Sequence, residues 1–150
     1  MRVRTAIVVG LLLCGSLSHG GAQELSGALK KIKATGTITL GHRESSAPFS
    51  YYDGNQRAVG YAMDLCGRVV EAVKQELKLA KLDVRLIPVT PANRIALVAS
   101  GAIDMECGST TNTVERQRRV AFSATHYIAG NRLVAKAHSN LATLDDLAAN

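Results

Sequence analysis

This sequence of 150 residues is poor in aromatic side chains and lacks the motifs of several large protein classes. Aromatic residues make up 4% of it, and tryptophan is absent. A nucleic-acid-binding chain normally combines a basic stripe with aromatic residues, so we expect no nucleic-acid partner. The chain shows no metal-ligand spacing, no Walker-type phosphate loop and no dinucleotide-binding glycine pattern. We therefore expect neither a metal ion nor a nucleotide cofactor.

Long apolar runs are also missing, except for one at the N-terminus. Residues 5–18 read TAIVVGLLLCGSLS, after a short basic start and before small residues that suit a cleavage site. This three-part pattern is typical of a secretory signal peptide. A membrane anchor is the alternative, but the run is shorter than the roughly 20 residues of a spanning helix. We predict that residues 1–22 form a signal peptide and that the mature chain is periplasmic.

Charge and cysteine content both change when residues 1–22 are removed. The full chain carries 18 basic and 12 acidic residues, and loss of Arg2 and Arg4 lowers its net charge from +6 to +4. A mildly basic exported protein is suited to small anions. Cys14 leaves with the signal peptide, so Cys66 and Cys107 form an even pair. In an oxidising compartment they form either one disulfide or two buried thiols, and the sequence does not decide between these states.

Helical and extended patterns alternate along the rest of the chain. The clearest helix runs from about Ala62 to Leu79, where apolar residues recur at helical spacing. Thr90-Pro91 suits the start of another helix, because proline is tolerated at the first helical position, and Gly101 suits its end. Further helices are predicted at 24–34 and near 113, strands at 37–41, 83–89, 102–107 and 131–137, and a loop at 45–56. This alternation favours an α/β fold with a largely parallel sheet.

Three arginines follow strands of this predicted sheet. Arg43 follows the first strand, Arg94 lies in the first turn of the helix after the second, and Arg116 lies in the short helix after the third. Ligands of open α/β sheets bind beyond the carboxyl ends of the strands. We therefore predict that the three arginines line one pocket.

The stretch between residues 108 and 119 combines a glycine, hydroxyl residues and arginines. Arg116 in an opening helical turn opposes the helix dipole by about 0.3–1 kcal/mol, whereas a bound carboxylate would accept two parallel hydrogen bonds from it. We interpret Arg116 as a ligand residue, and Arg118 and Arg119 as solvated. Spacing alone does not show whether hydroxyl residues hold a ligand or cap the loop, and this applies to Ser109, Thr110 and Thr111.

The local acid–base candidates for catalysis are His42, Asp104 and Glu106. They are weak candidates, because no motif places a nucleophile or a second acid–base group beside them. Asp104 and Glu106 lie two apart on a predicted strand, so their side chains should face the same side. We favour a structural over a functional role for His42.

Four segments carry a family resemblance: GHRESSAPFSYYD, VGYAMDLC, PVTPANRI and GAIDMECGSTTNTVERQRRVAFS. In this order and spacing they resemble the periplasmic solute-binding proteins of polar amino-acid ABC transporters. The closest likeness is to glutamate/aspartate-binding proteins, and it covers about residues 25–148.

The resemblance implies a type II periplasmic-binding-protein-like fold, in which two α/β lobes joined by crossing strands hold an amino acid between them. Residues 23–128 would form an incomplete first lobe, residues 129–138 a hinge crossing, and residues 139–150 the start of a truncated second lobe. Because half of the clamp would be absent, we expect this chain to bind weakly or not at all.

The resemblance also implies roles for the candidate residues. Arg116 would bind the α-carboxylate of the ligand, and Ser109 and Thr111 would contact its α-amino and α-carboxylate groups. Arg43 and Arg94 would meet the side-chain carboxylate, which glutamate and aspartate have and neutral amino acids lack.

The partners implied are the amino acid and the membrane permease of an ABC transporter, with a monomeric, non-catalytic binding protein. An enzyme on the same scaffold, dehydratase-like or peptidoglycan-cleaving, is one alternative, and an inactive truncated remnant is another. The sequence departs from the family pattern at Pro91, where close relatives tend to have a hydroxyl residue. Proline has neither a hydroxyl nor an N–H group, so the choice between glutamate and aspartate stays open.

Overall fold

A computed structural model describes residues 24–130 and, beyond them, residues 132, 134–139, 141, 143 and 145–146. The predicted signal peptide, residues 1–22, lies outside these residues. The predicted hinge crossing at 129–138 and the predicted start of a second lobe at 139–150 are described only in part, and their roles stay predictions. The described residues within 131–137 lie outside any strand, so the strand expected there is not observed in that part of the chain.

Helices and strands alternate in the described residues. In chain order the elements are α1 (Gly27–Thr35), β1 (Thr37–His42), β2 (Ser45–Ser46), β3 (Ser50–Tyr52), β4 (Ala58–Val59), α2 (Tyr61–Glu76), β5 (Asp83–Pro88), α3 (Arg94–Ala99), β6 (Met105–Cys107) and α4 (Val114–Gln117). No helix in the described ranges is long and apolar enough to cross a membrane.

The main sheet has three parallel strands in the order β5-β1-β6. Leu40 of β1 is in register with Leu86 on one side and Met105 on the other. Because β1 has a neighbour on both edges and helices over the sheet, five of its six residues are buried. Parallel strands need crossover connections, which α2 and α3 supply here. The prediction of an α/β fold with a parallel sheet is confirmed.

The core lies between this sheet and the helices α1 and α2. Its buried members are Ile32, Ile38, Leu40, Cys66, Val70, Leu77 and Cys107. Each fully buried aliphatic side chain of this kind contributes about 1.5–3 kcal/mol through removal of apolar surface from water. The structure joins Cys66 of α2 to Cys107 of β6 in a disulfide, with 6.2 Å between the two Cα atoms. Of the two states left open by the sequence, the structure therefore has the bonded one.

A second, antiparallel sheet of short strands in the order β2-β3-β4 occupies much of the predicted loop at 45–56. The prediction of a loop there was wrong for β2 and β3, because strands of two and three residues are too short to show an alternating pattern. Between β3 and β4 the chain forms a turn, in which Asp53 Oδ1 accepts hydrogen bonds from the backbone N–H groups of Asn55 and Arg57. Arg57 also pairs with the same carboxylate at 2.7 Å.

One helix start differs from the sequence-based expectation, and another agrees with it. The helix α3 begins at Arg94 instead of at the Thr90-Pro91 pair. Thr90 and Asn93 exchange hydrogen bonds, each backbone N–H donating to the other side chain, so residues 90–93 form a separate turn before the helix. The helix α4 is capped by Thr113, whose hydroxyl accepts from the backbone N–H of Arg116.

Candidate functional site

Arg94 is the most deeply buried of the three predicted arginines. It is the first residue of α3, and only 7% of its surface is exposed. The turn at 90–93 places it there, and the backbone N–H of Arg94 donates to the carbonyl of Thr90 at 3.2 Å. A buried guanidinium is rare unless it meets a charged partner.

Glu106 of β6 forms an ion pair with Arg94. Its Oε1 lies 3.8 Å from Arg94 Nη1, and the two side chains are 12% and 8% exposed. This distance is too long for a hydrogen bond. Arg94 Nε, Arg94 Nη1 and Glu106 Oε1 are all buried without a hydrogen-bond partner. An unpaired buried polar group costs about 1–3 kcal/mol, so the pair has unused donors and an unused acceptor.

The electrostatics of this pair extend to two further arginines. Burial raises the pKa of the Glu106 carboxyl, and the Thr110 hydroxyl, Arg94, Arg43 and Arg116 all oppose that rise. By geometry, however, the Thr110 hydroxyl has no hydrogen-bond partner. Burial lowers the pKa of Arg94, Glu106 raises it, and Arg116 and Arg43 lower it further. The structure thus brings the three predicted arginines within electrostatic range of one another.

Arg43 follows β1 and approaches Glu106 across Gly108. The backbone N–H of Arg43 donates to Ser50 Oγ at 2.9 Å, which fixes the chain as it leaves the sheet. A Cβ atom at position 108 would collide with Glu106 Oε1 and lie 3.1 Å from Arg43 Cγ. Glycine at this position therefore lets the loop after β6 pass close to both side chains, and a larger residue would displace the Glu106 carboxylate.

Ser109, Thr111 and Arg116 are connected through the loop between β6 and α4. The Oγ atoms of Ser109 and Ser46 are 2.8 Å apart, and Arg116 Nη1 donates to the carbonyl oxygen of Thr111 at 2.8 Å. Arg116 is half-buried, whereas Arg118 and Arg119 are exposed, as predicted. The contact with Ser46 was not predicted, because nothing in the sequence indicates that β2 reaches this loop.

The predicted site residues divide between two adjacent cavities. A cavity of about 680 Å³ is lined by Arg94 and Glu106 together with mostly apolar side chains of α2 and α3. A second, of about 430 Å³, is lined by Ser109 and Thr111. Gly108 and Thr110 line both, whereas Arg43 and Arg116 line neither of the two. Of the three arginines, only Arg94 therefore lines either cavity, and these two cavities do not meet the prediction that all three line one pocket.

The acid–base candidates other than Glu106 have structural partners. Asp104, with 3% of its side chain exposed, accepts hydrogen bonds from the backbone N–H of Thr39 and from Lys31 Nζ, both at 2.8 Å. His42 is buried, and its Nδ1 lies 3.2 Å from the carbonyl oxygen of Arg43, to which it can donate. Among the described residues, no group of three or more histidine, cysteine or acidic side chains could hold a metal ion.

The segment after α4 is held against the lobe by aromatic contacts. Tyr61 donates its hydroxyl to the carbonyl oxygen of His126 at 3.1 Å, and the rings of Phe49 and Tyr127 meet edge-on with centroids 4.8 Å apart. His126 lines both cavities. These contacts place His126 and Tyr127 beside the candidate site.

A parallel α/β lobe with polar groups beyond its strand ends is the architecture of a periplasmic-binding-protein-like lobe. Sequence comparison is more specific: the chain belongs to the bacterial extracellular solute-binding proteins, family 3, which match residues 38–147.

Individual relatives agree with this assignment. The chain is 45% identical to a glutamate/aspartate import solute-binding protein of Salmonella typhimurium, over 98% of this chain and 49% of the relative. It is 51% identical to an L-glutamate/L-aspartate-binding protein of Pseudomonas aeruginosa, over 95% of this chain and 46% of the relative. The chain therefore spans about half the length of these relatives.

A solved single domain is also similar in structure. It is a point mutant of domain 1 from TmArgBP in its arginine-bound form, with a TM-score of 0.57 and 27% identity. The similarity covers 69% of this chain and 74% of that domain.

Proposed function

We propose that this chain takes part in binding an acidic amino acid, glutamate or aspartate, in the periplasm for import by an ABC transporter. The binding is non-catalytic, and the partners are the amino acid and the membrane permease. The relatives with 45–51% identity bear names that specify these two amino acids, which supports the choice of ligand.

The observation that carries the proposal is the buried guanidinium of Arg94, with unpaired donors and two further arginines in electrostatic range. Like charges so close together repel, and an anionic ligand would reverse that cost. Guanidinium groups offer paired donors that match a carboxylate. In this proposal Arg43 and Arg94 receive the side-chain carboxylate of the ligand.

In this proposal the loop between β6 and α4 binds the α-amino and α-carboxylate groups of the amino acid. Arg116 binds the α-carboxylate with the guanidinium donors that its contact with Thr111 leaves free. Ser109 and Thr111 contact the α-amino and α-carboxylate groups. Each charge-assisted hydrogen bond of this kind adds about 1.5–3 kcal/mol, and the loop is exposed enough to admit the ligand.

The proposal is tested on this chain by following backbone amide NMR signals during titration with L-glutamate, L-aspartate, L-glutamine and L-arginine. The arginine-bound form of a solved single domain supports the use of one lobe for such a measurement. We expect weak binding, with shifts around residues 108–111 for the two acidic amino acids and little change for the others. Absence of a response to both acidic ligands, or an equal response to L-arginine, contradicts the proposal.

Two variants separate a specific contact from general charge. Arg116→Gln removes a predicted ligand contact, whereas Arg118→Gln removes the same charge from an exposed position two residues away. We expect the first to weaken glutamate binding at least tenfold, which corresponds to about 1.4 kcal/mol, and the second to change it little. An equal loss of glutamate affinity in both variants would show that only the net charge of the chain affects binding. Turnover of any added amino acid by the purified chain would favour an enzyme instead.

A further inference from the structure

Glu106 is a largely buried acidic residue beside the candidate site, and the proposed ligand contacts give it no role. It faces Arg94 at 3.8 Å, and Oε1 has no hydrogen-bond partner. It also lies against Gly108, where a side chain would collide with its carboxylate. The remaining buried carboxylate nearby, Asp104, is occupied by Lys31 and by the backbone of Thr39.

The charges around Glu106 do not balance. Three guanidinium groups act on this single carboxylate, those of Arg43, Arg94 and Arg116. In the absence of ligand, Glu106 is therefore the internal counter-charge of Arg94. An acidic ligand brings a second carboxylate to the same guanidinium, and two carboxylates at one buried site repel each other.

We propose that Glu106 is a specificity-determining residue that holds Arg94 in the empty site and competes with the side-chain carboxylate of an acidic ligand for its guanidinium. This inference rests on the proposed function. The loose 3.8 Å contact is consistent with it, because the unused donors Nε and Nη1 of Arg94 stay open to a second acceptor. Glu106 thus limits the affinity for glutamate and lowers the ratio of glutamate affinity to glutamine affinity.

Replacement of Glu106 by glutamine separates this role from a purely structural one. Glu106→Gln keeps the size of the side chain and removes its charge. We expect L-glutamate to bind about tenfold more tightly, within the roughly 5- to 150-fold range usual for coupling between sites. L-glutamine, which has no side-chain charge, should bind no better than before. If Glu106 served only to position Arg94, both ligands would lose affinity.

A second measurement uses the unsubstituted chain and is independent of the folding of the variant. Burial raises the pKa of Glu106, so protonation relieves the competition as the pH falls. The ratio of glutamate to glutamine affinity should therefore rise from pH 8 towards pH 5.5. Among the described residues, the charged groups near Glu106 are Arg43, Arg94 and Arg116, with Arg68 and His126 along the cavity. Asp104, two residues earlier in the chain, is paired with Lys31 of α1. His126→Gln, which removes the imidazole lining the same cavity, is the control for this measurement.

The experiment compares dissociation constants of L-glutamate and L-glutamine by NMR titration for the unsubstituted chain, Glu106→Gln, and Glu115→Gln as an exposed control. A selective gain for glutamate in Glu106→Gln supports the inference, even if the unsubstituted chain binds neither ligand and the proposed function fails for it. Binding of glutamate with no selective gain, and with a ratio independent of pH, overturns the inference and leaves the proposed function intact. No binding by any of the chains overturns both.

Discussion

The disulfide between Cys66 and Cys107 gives a prediction about the stability of the lobe. It links α2 to β6 within the main core, and its two cysteines are 41 residues apart in sequence. Constraining a loop of this length in the unfolded chain stabilises the folded state by about 4 kcal/mol in the chain-entropy account. Domains of this size are stable by about 5–15 kcal/mol in total. Reduction should therefore remove a large part of the free energy of unfolding.

Urea unfolding followed by circular dichroism measures this effect, with a Cys14→Ser change so that no third thiol takes part. With a urea dependence of about 2 kcal/mol per molar, we expect the midpoint of the reduced chain to fall by about 2 M. The control is the double variant Cys66→Ala, Cys107→Ala, whose midpoint should not respond to reductant. Coincident midpoints for the oxidised and reduced chains, or two free thiols in the oxidised chain, would refute the reasoning.

Three further predictions concern buried groups. Asp104→Ala should lower the free energy of unfolding by about 2–3 kcal/mol, because it leaves a buried backbone N–H unpaired, and Asp104→Asn should cost less in the same urea titration. Gly41→Ala should lower the free energy of unfolding by about 1–3 kcal/mol, since its Cβ would lie 2.5 Å from a neighbouring side chain. Gly67→Ala has open space around it and should raise the free energy of unfolding by about 0.5–1 kcal/mol. Burial raises the pKa of Glu106 in the folded chain. The stability that its protonated form contributes is therefore fully present at pH values below the ordinary carboxyl pKa, and it is lost as the pH rises through the raised pKa. Glu106→Gln should therefore make the urea midpoint less dependent on pH between pH 5 and pH 8. An unchanged pH dependence would contradict this prediction.

The long elements of the fold could be predicted because their periodic patterns extend over many residues. The helix α2 and the strands β1 and β5 lie close to where hydrophobic spacing placed them. Short elements escaped prediction for the opposite reason: β2 and β3 contain two and three residues, too few for a period to show. The start of α3 moved past Pro91, because the reciprocal hydrogen bonds of Thr90 and Asn93 form a turn that spacing did not distinguish from a helix cap.

The candidate site, like the fold, could be predicted from the sequence only in part. Residue types and their places after strands selected Arg43, Arg94 and Arg116 as candidates, because parallel strands end at one edge of a sheet. Their ligand roles stay predictions. Sequence did not indicate that Glu106 would face Arg94, nor that Ser46 would contact Ser109, since these residues come from separate elements.

What the sequence determined by itself is the longer elements and the family, because extended periodicity and extended identity can be recognised without coordinates. Tertiary structure alone decided which charges share a low-dielectric space. Glu106 and Arg94 are buried together, and burial is what raises the pKa of one and lowers that of the other. Desolvation depends on every neighbour in three dimensions, so the balance of charge at this site could be read only after the chain was folded.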